Sequence, residues 1–339
     1  MKMRTLGRTG VRVSPLCLGA MMFGAWGEPD HDESIRIINR ALDAGINFVD
    51  TADMYSSGES EEIVGKALKG KRDSVVLATK FHGAMSFDPN EQGNSRRWVI
   101  REVENSLRRL QTDYIDLYQV HRPSPDTDID ETLSALSDLI RAGKVRYIGS
   151  STYPAHEVVE AQFIARDRGR ERFVCEQPPY SILVRGIERD LLPVAEQYGM
   201  GVIPWSPLAG GWLSGKWRKG EKNESRRSAM LPDRYDLSIP DNQRKLDAAD
   251  ALGTLADKHG VSLVHIAIAF VIRHPAVTAA IIGPRTMDQL ESQLGAADLE
   301  LSDEILDAID EIVPPGVTLL EADRGYDPPG IAEASRRRR

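Results

Sequence analysis

Ala44-Gly45-Ile46-Asn47-Phe48-Val49-Asp50 decides the fold of this chain. A helical stretch stops at a glycine, and an apolar strand begins at once. Glycine supplies the left-handed cap that ends a helix and turns the chain back. The same junction recurs twice. Ala142-Gly143 leads into Lys144-Val145-Arg146-Tyr147-Ile148, and Tyr198-Gly199 leads into Met200-Gly201-Val202-Ile203.

Outward from these junctions, strand and helix patterns alternate. Strands are expected near 16–19, 46–50, 75–80, 114–120, 146–149, 173–177, 201–205 and 278–282. Helices are expected near 32–44, 59–69, 96–110, 130–142, 154–168, 188–198, 243–259 and 287–296. A further helix over 302–312 has Ser302 as its cap. Short apolar strands, without polar alternation, suit a sheet buried on both faces. Eight strands alternating with eight helices predict an α/β chain folded as a (β/α)8 TIM barrel.

The 339 residues suit one such barrel, and 41% hydrophobic residues supply a large core. No linker divides the chain, so 1–339 reads as a single barrel domain. Met3 to Val13 carries Gly7, Thr9 and Gly10 between short apolar segments. It predicts an N-terminal β-hairpin that closes the barrel bottom. Residues 216–241 are polar, with Pro232 and Pro240, and follow the seventh strand on the face where barrels bind ligands. A lid and a tolerated insertion both fit this stretch. Residues 313–339 form a C-terminal extension.

The formal charge of −8 argues against a nucleic-acid role. The run Arg336 to Arg339 reads as a solvated tail. Cys17 and Cys175 sit in apolar contexts as free thiols, which fits a reducing cytoplasm. Met1 to Gly7 has no apolar leader core. The run Leu263 to Ile272 contains His265 and is too short to span a bilayer, so no membrane role is expected. The seven histidines are scattered without metal-ligand spacing, so no metal is expected.

Four polar residues stand at successive strand ends: Asp50 and Tyr55, then Lys80, then His121. On parallel strands they can converge. A lysine at the end of Val75-Val76-Leu77-Ala78-Thr79 enters an apolar mouth and needs a partner, for which Asp50 is placed. The ammonium would lower the pKa of the Tyr55 phenol, and His121 could orient a substrate oxygen. Singly, each residue also reads as a cap, a packing group or a structural histidine. Together they read as machinery for protonating a carbonyl oxygen.

With these residues the chain resembles the aldo-keto reductase family. The likeness runs from Leu6-Gly7-Arg8-Thr9-Gly10 to about Gly295 and reaches the branch of channel-associated β subunits. It implies a (β/α)8 barrel, a catalytic tetrad of Asp50, Tyr55, Lys80 and His121, and NADPH (NADP+) bound without a Rossmann domain. No Gly-x-Gly-x-x-Gly fingerprint follows the first strand. The resemblance sets Gly19-Ala20-Met21 beside the nicotinamide ribose. It gives Ser151, Thr152 and Gln177 the carboxamide. The family usually has Asn where Thr152 stands, and a hydroxyl has fewer donor and acceptor sites. Trp205 would stack on the nicotinamide. Ser206, Pro207, Leu208, Gly210, Gly211 and Lys216 would hold the pyrophosphate. Gly283 and Arg285, at a helix N-terminus, would take the 2′-phosphate, with Gln289 and Gln293 near the adenine. Ser292-Gln293 replace the family's frequent Glu-Asn. The small-molecule carbonyl substrate would meet Met22, Phe23, Trp26, Met54, Phe81, His82 and Arg122.

Two other classes compete with a reductase of aldehydes and ketones. One is an NADPH-sensing regulatory subunit with slow turnover. The other is a barrel hydrolase or lyase without nicotinamide. Gly210 to Lys216 also matches the start of a P-loop, but Trp217 follows where a magnesium-binding Ser or Thr is needed.

Overall fold

The computed structural model describes residues 1–221 and 226–334. Strands β1 (Arg4–Thr5) and β2 (Arg12–Val13) form the expected antiparallel hairpin. The next eight strands are parallel: β3 (Leu16–Gly19), β4 (Phe48–Asp50), β5 (Val76–Phe81), β6 (Ile115–Val120), β7 (Val145–Ser151), β8 (Phe173–Gln177), β9 (Gly201–Val202) and β10 (Ala280–Ile282). They run in the order β10-β3-β4-β5-β6-β7-β8-β9. The remaining seam is sewn by Thr278 N to Val202 O (2.8 Å) and Ile281 N to Pro204 O (2.9 Å). The result is a (β/α)8 barrel.

Helices α1 (His31–Asp43), α2 (Glu59–Ala67), α3 (Arg96–Leu110), α4 (Ile129–Arg141), α5 (Ala155–Arg168) and α6 (Leu191–Tyr198) fall between successive strands. They begin where side-chain caps are available. Asp30 accepts from Asp32 N and Glu33 N at α1, and Ser95 accepts from Trp98 N at α3. Gly143 and Gly199 leave their helices at φ 74° and 63°, the left-handed turn that the repeated junction requires.

Side chains alternate across the strands. Cys17, Phe48, Ala78, Leu117, Cys175 and Ile203 fill the barrel interior, and Leu6 and Val13 join them from the hairpin. Leu18, Val49, Leu77, Tyr118 and Ile148 face the helices instead. Each fully buried aliphatic side chain contributes about 1.5–3 kcal/mol. The hairpin lies tight against the barrel bottom: a Cβ on Gly7 would meet Gly201 N at 2.6 Å.

The second half of the chain adds helices at 226–230, 263–273 and 329–332 that periodicity did not reveal. After the short α7 (Arg226–Met230) come α8 (Pro240–His259) and α9 (Leu263–Arg273), bent by 100° at their junction. α9 packs on β10. It was expected only as an apolar run, because it is apolar on most faces and lacks the one-sided pattern that marks a surface helix. Among the described residues, no single helix is long and apolar enough to cross a membrane. α10 (Met287–Leu294), α11 (Asp303–Ile312) and α12 (Pro329–Ala332) follow, and Ser302 caps α11 as expected.

The stretch 216–241 lies partly outside the described residues, at 222–225, and so does the run Arg336 to Arg339. The rest of the stretch is tied down. Tyr235 stacks on Trp212 and Trp217, with ring centroids 5.4 Å apart in each pair. Lys245 Nζ lies over Trp212 and donates to Asp323 Oδ2 at 3.1 Å. That bond joins α8 to the C-terminal extension, and Arg234 Nη2, within the stretch, donates to Ala322 O at 3.0 Å. Leu319 N in the extension donates to Leu183 O.

Candidate active site

The even pleat positions of β4 and β5 and the odd ones of β6 point inward. Asp50, Lys80 and His121 therefore arrive at the C-terminal mouth of the barrel. Lys80 is fully buried, and its ammonium spends all three N–H groups. It donates to Asp50 Oδ2 (2.6 Å), Thr51 O (2.8 Å) and Tyr55 Oη (3.2 Å). The His121 ring stands edge-on to Tyr55, with centroids 5.7 Å apart. The four residues that sequence reasoning grouped thus form one chain of neighbours, Asp50 to Lys80 to Tyr55 to His121.

Asp50 is held from the other side as well. Gln119 Nε2 and Gln177 Nε2 donate to its Oδ1 at 3.1 and 2.9 Å. Gln119 was not singled out from the sequence, although it lies two residues before His121 and so shares its inward face.

Burial governs the charge states. It raises the Tyr55 phenol above its ordinary value and outweighs Lys80, whose charge lowers it. The lowering expected from an adjacent ammonium is therefore overruled by desolvation, and Tyr55 holds its proton. Burial lowers Lys80, but Asp50 and Tyr55 together turn the net shift upward, so the ammonium stays charged. Burial also holds His121 well below the usual imidazole range, helped by Lys80 and Arg122. The ring is neutral, and its Nδ1 is buried without a hydrogen-bond partner.

Ser151 ends β7, and its Oγ donates to Gln177 O at 2.8 Å. Thr152 is left-handed at φ 58°. Its Oγ1 accepts from Arg122 Nη1 (3.1 Å) and lies 3.4 Å from Trp205 Nε1. Beneath this corner Glu176 is fully buried. It accepts from Ser150 Oγ and Tyr153 N. Burial pushes its carboxyl up to about 7.

Ser206 turns at φ 61° and its Oγ accepts from Gly210 N. Tyr235 Oη donates to Gly210 O, beside Pro207, Leu208 and Gly211. A cavity beside this turn is lined by Tyr180, Trp205, Ser206, Gly210, Tyr235 and Lys245. Lys216 is exposed, as is Gly283, which has open space where a Cβ would stand. Arg285 N donates to Gln289 Oε1, while Gln293 is buried with Oε1 unpartnered. Gly19 has a packing reason of its own: a Cβ there would meet Ile281 Cγ2 at 2.6 Å. Ala20 is buried, and Met21 is half-buried.

The expected substrate wall divides. Trp26 is 36% exposed and its ring lies 6.0 Å from Tyr55. Met22 and Met54 are half-buried. Phe23 and Phe81 are fully buried in the layer between strands and helices. The Phe81 ring packs on Tyr118, because it takes the outward pleat position next to inward Lys80. His82 Nδ1 lies 2.9 Å from Asn94 Oδ1, whose amide donates to Arg122 O at 3.0 Å. Asn94 is 2% exposed and was missed, since one Asn in a polar loop carries no sequence signal.

The C-terminal extension covers one edge of the mouth. A Cβ on Gly325, at φ 78°, would meet Trp205 Cζ2 at 2.8 Å. Among the described residues, no cluster of His, Cys, Asp or Glu could hold a metal.

The chain is similar to known proteins over nearly its whole length. An oxidoreductase of Bacillus subtilis, named "Uncharacterized oxidoreductase YrpG", is 42% identical over 94% of this chain and 98% of its own length. A "Putative voltage-gated potassium channel subunit beta" of Schizosaccharomyces pombe is 36% identical, covering 91% of this chain and 92% of the relative. The "Versiconal hemiacetal acetate reductase" of Aspergillus parasiticus is 33% identical, over 92% and 96%. The relatives named as an oxidoreductase and as a reductase support carbonyl reduction in general. The family model for the aldo/keto reductase family matches residues 15–314, which run from the first barrel strand to just past α11. By its barrel, its mouth and that match, the chain belongs to the aldo/keto reductase family.

Proposed function

We propose that this protein reduces aldehydes or ketones to alcohols with NADPH, and that Tyr55 gives the proton. One observation carries the reading. Tyr55 Oη accepts from Lys80, so the phenol's own O–H is left to point at another acceptor. A carbonyl oxygen in the mouth is that acceptor. When bound, NADPH supplies the hydride to the carbonyl carbon and leaves as NADP+. Tyr55 gives its proton to the carbonyl oxygen, and the phenolate left behind is balanced by Lys80. Neutral His121 offers one ring N–H to the same oxygen. Asp50 keeps Lys80 charged, and Gln119 and Gln177 hold Asp50.

The chain's own groups fit a nicotinamide nucleotide. The donors of Ser151 and Gln177 are turned inward, which leaves Ser151 Oγ and Gln177 Oε1 as acceptors for a carboxamide NH2. Ser206 N and Leu208 N donate to nothing among the described residues and suit a pyrophosphate. The orphaned Gln293 Oε1 suits an amino group on adenine. Arg285 favours the 2′-phosphate form over NADH. A cytoplasmic location goes with this reading, since Cys17 and Cys175 are buried and unpaired.

The test is Tyr55→Phe. Steady-state turnover of an aldehyde panel is expected to fall nearly to zero, while NADPH binding by fluorescence titration persists. Undiminished turnover sinks the mechanism. The likeness to a protein named as a channel β subunit favours a second reading, an NADPH-sensing subunit with slow turnover. Stopped-flow oxidation of bound NADPH, compared with steady-state rates, separates the two.

A further inference from the structure

Arg122 follows His121 directly and is half-buried, and it differs from Arg72, Arg109 and Arg185 in how it is paired. Arg72 meets Asp116, Arg109 meets Glu61 and Glu102, and Arg185 meets Glu188 and Asp310. Arg122 forms an ion pair with no carboxylate among the described residues. Its hydrogen bonds to the described residues come from one nitrogen: Nη1 donates to His121 O at 2.6 Å and to Thr152 Oγ1 at 3.1 Å.

The Nε and Nη2 edge has no hydrogen-bond partner among the described residues. That edge is the planar two-donor fork that matches a carboxylate side-on. Glu176 acts on Arg122 without touching it, and a half-buried guanidinium with no carboxylate in contact carries a cost that an anion supplied from outside relieves. The place is also built. Asn94 Nδ2 pins Arg122 O, and His121 N donates to Phe81 O at 2.9 Å. The guanidinium therefore sits on a fixed strand end. It is close enough to Tyr55 for its charge to act on the phenol, and Thr152 links it to Trp205. The chain as a whole carries −8, so an anion would be drawn here only by a local cation.

We propose that Arg122 is a carboxylate subsite, and that the preferred substrates are oxo acids whose carbonyl oxygen reaches Tyr55 and His121. This rests on the reductase reading above and narrows it to a substrate class.

The test compares 4-oxobutanoate with butanal, which has the same chain length and no carboxylate. Wild type is expected to favour 4-oxobutanoate in kcat/KM. In Arg122→Met that preference is expected to fall by roughly 10- to 100-fold, mostly through KM, with Arg122→Lys between the two. Kd for NADPH is expected to stay within about twofold of wild type. Equal losses on both aldehydes, or a large rise in Kd for NADPH, overturn the subsite and make Arg122 a cofactor or structural group. Melting curves check that each variant is folded. If wild type reduces neither aldehyde, the reductase reading fails, and calorimetric titration of butanoate still judges the subsite. Binding by wild type that Arg122→Lys weakens and Arg122→Met abolishes supports it, and equal or absent binding in wild type and Arg122→Met overturns it.

Discussion

Gln177, which the family resemblance assigns to the carboxamide, donates from Nε2 to Asp50 Oδ1 at 2.9 Å. The bond ties the end of β8 to the end of β4 across the barrel mouth. A group assigned to the cofactor is thus also part of the frame that holds the acid of the Lys80 pair. Its remaining oxygen is positioned by that duty.

Asp50→Asn is the direct test of this frame. The variant leaves a fully buried ammonium without its counter-charge. Breaking one side of a buried pair costs about 3–5 kcal/mol. Urea unfolding is expected to show a loss of that order, and turnover is expected to fall by roughly tenfold or more. Wild-type stability in Asp50→Asn would mean that Lys80 is not charged in the fold.

Glu176 predicts a pH dependence. Its carboxyl lies at about 7 in the fold, raised by burial from an ordinary value near 4.5. Between these values the folded chain holds the extra proton, so stability falls as pH rises from about 4.5 to about 7 and is flat above. The full change is about 3 kcal/mol. Glu176→Gln imitates the protonated group. Urea titrations at pH 5 and pH 8 are expected to show the variant gaining on wild type at the higher pH. A gap that does not move with pH contradicts the assignment.

Much of the barrel was legible because its signals are local. The glycines at 45, 143 and 199 announce helix ends, and the apolar runs after them announce strands. The tetrad was legible because a lysine cannot end an apolar strand without a partner. The unread parts depend on contacts made at a distance. α9 is buried on most faces, so nothing in its pattern separates helix from strand. Phe81 was assigned to the substrate wall, but it is adjacent in sequence to inward Lys80 and so must face outward. Tyr55 titrates against expectation because burial outweighs a neighbouring charge, and burial cannot be read from spacing. Asn94 and Gly325 act only through partners far along the chain.

Gly325→Ala tests the cover over Trp205. A Cβ would fall 2.8 Å from the indole, on a backbone at φ 78°. Left-handed geometry alone costs about 1–2 kcal/mol. If about 1 kcal/mol of strain reaches the indole, NADPH binding weakens roughly fivefold. Tryptophan fluorescence titration measures it. Gly10→Ala is the control: it shares the positive φ, at 87°, with open space around the new Cβ. Equal effects from both would remove the claim that Trp205 is involved.

Lys245→Met cuts the bond to Asp323 while keeping an apolar stem against Trp212. The C-terminal extension is expected to open more often. Hydrogen exchange at the amides of Leu319 and Asp323, which donate to Leu183 O and Leu320 O, should speed up, with no change at Leu18. Unchanged protection at both amides would show that the extension is held by other contacts.

The pairing of β3 with β10, Leu16 beside Ala280 and Leu18 beside Ile282, has a cost during synthesis. A ribosome delivers the first of these strands long before the second. Until residues 280–282 emerge, the nascent sheet has an open border that a neighbouring polysome product can extend. Closure comes last and from the most distant partner. Slowing translation through the final quarter of the message therefore lengthens the period of risk, and soluble yield should track the speed of that quarter more than that of any other.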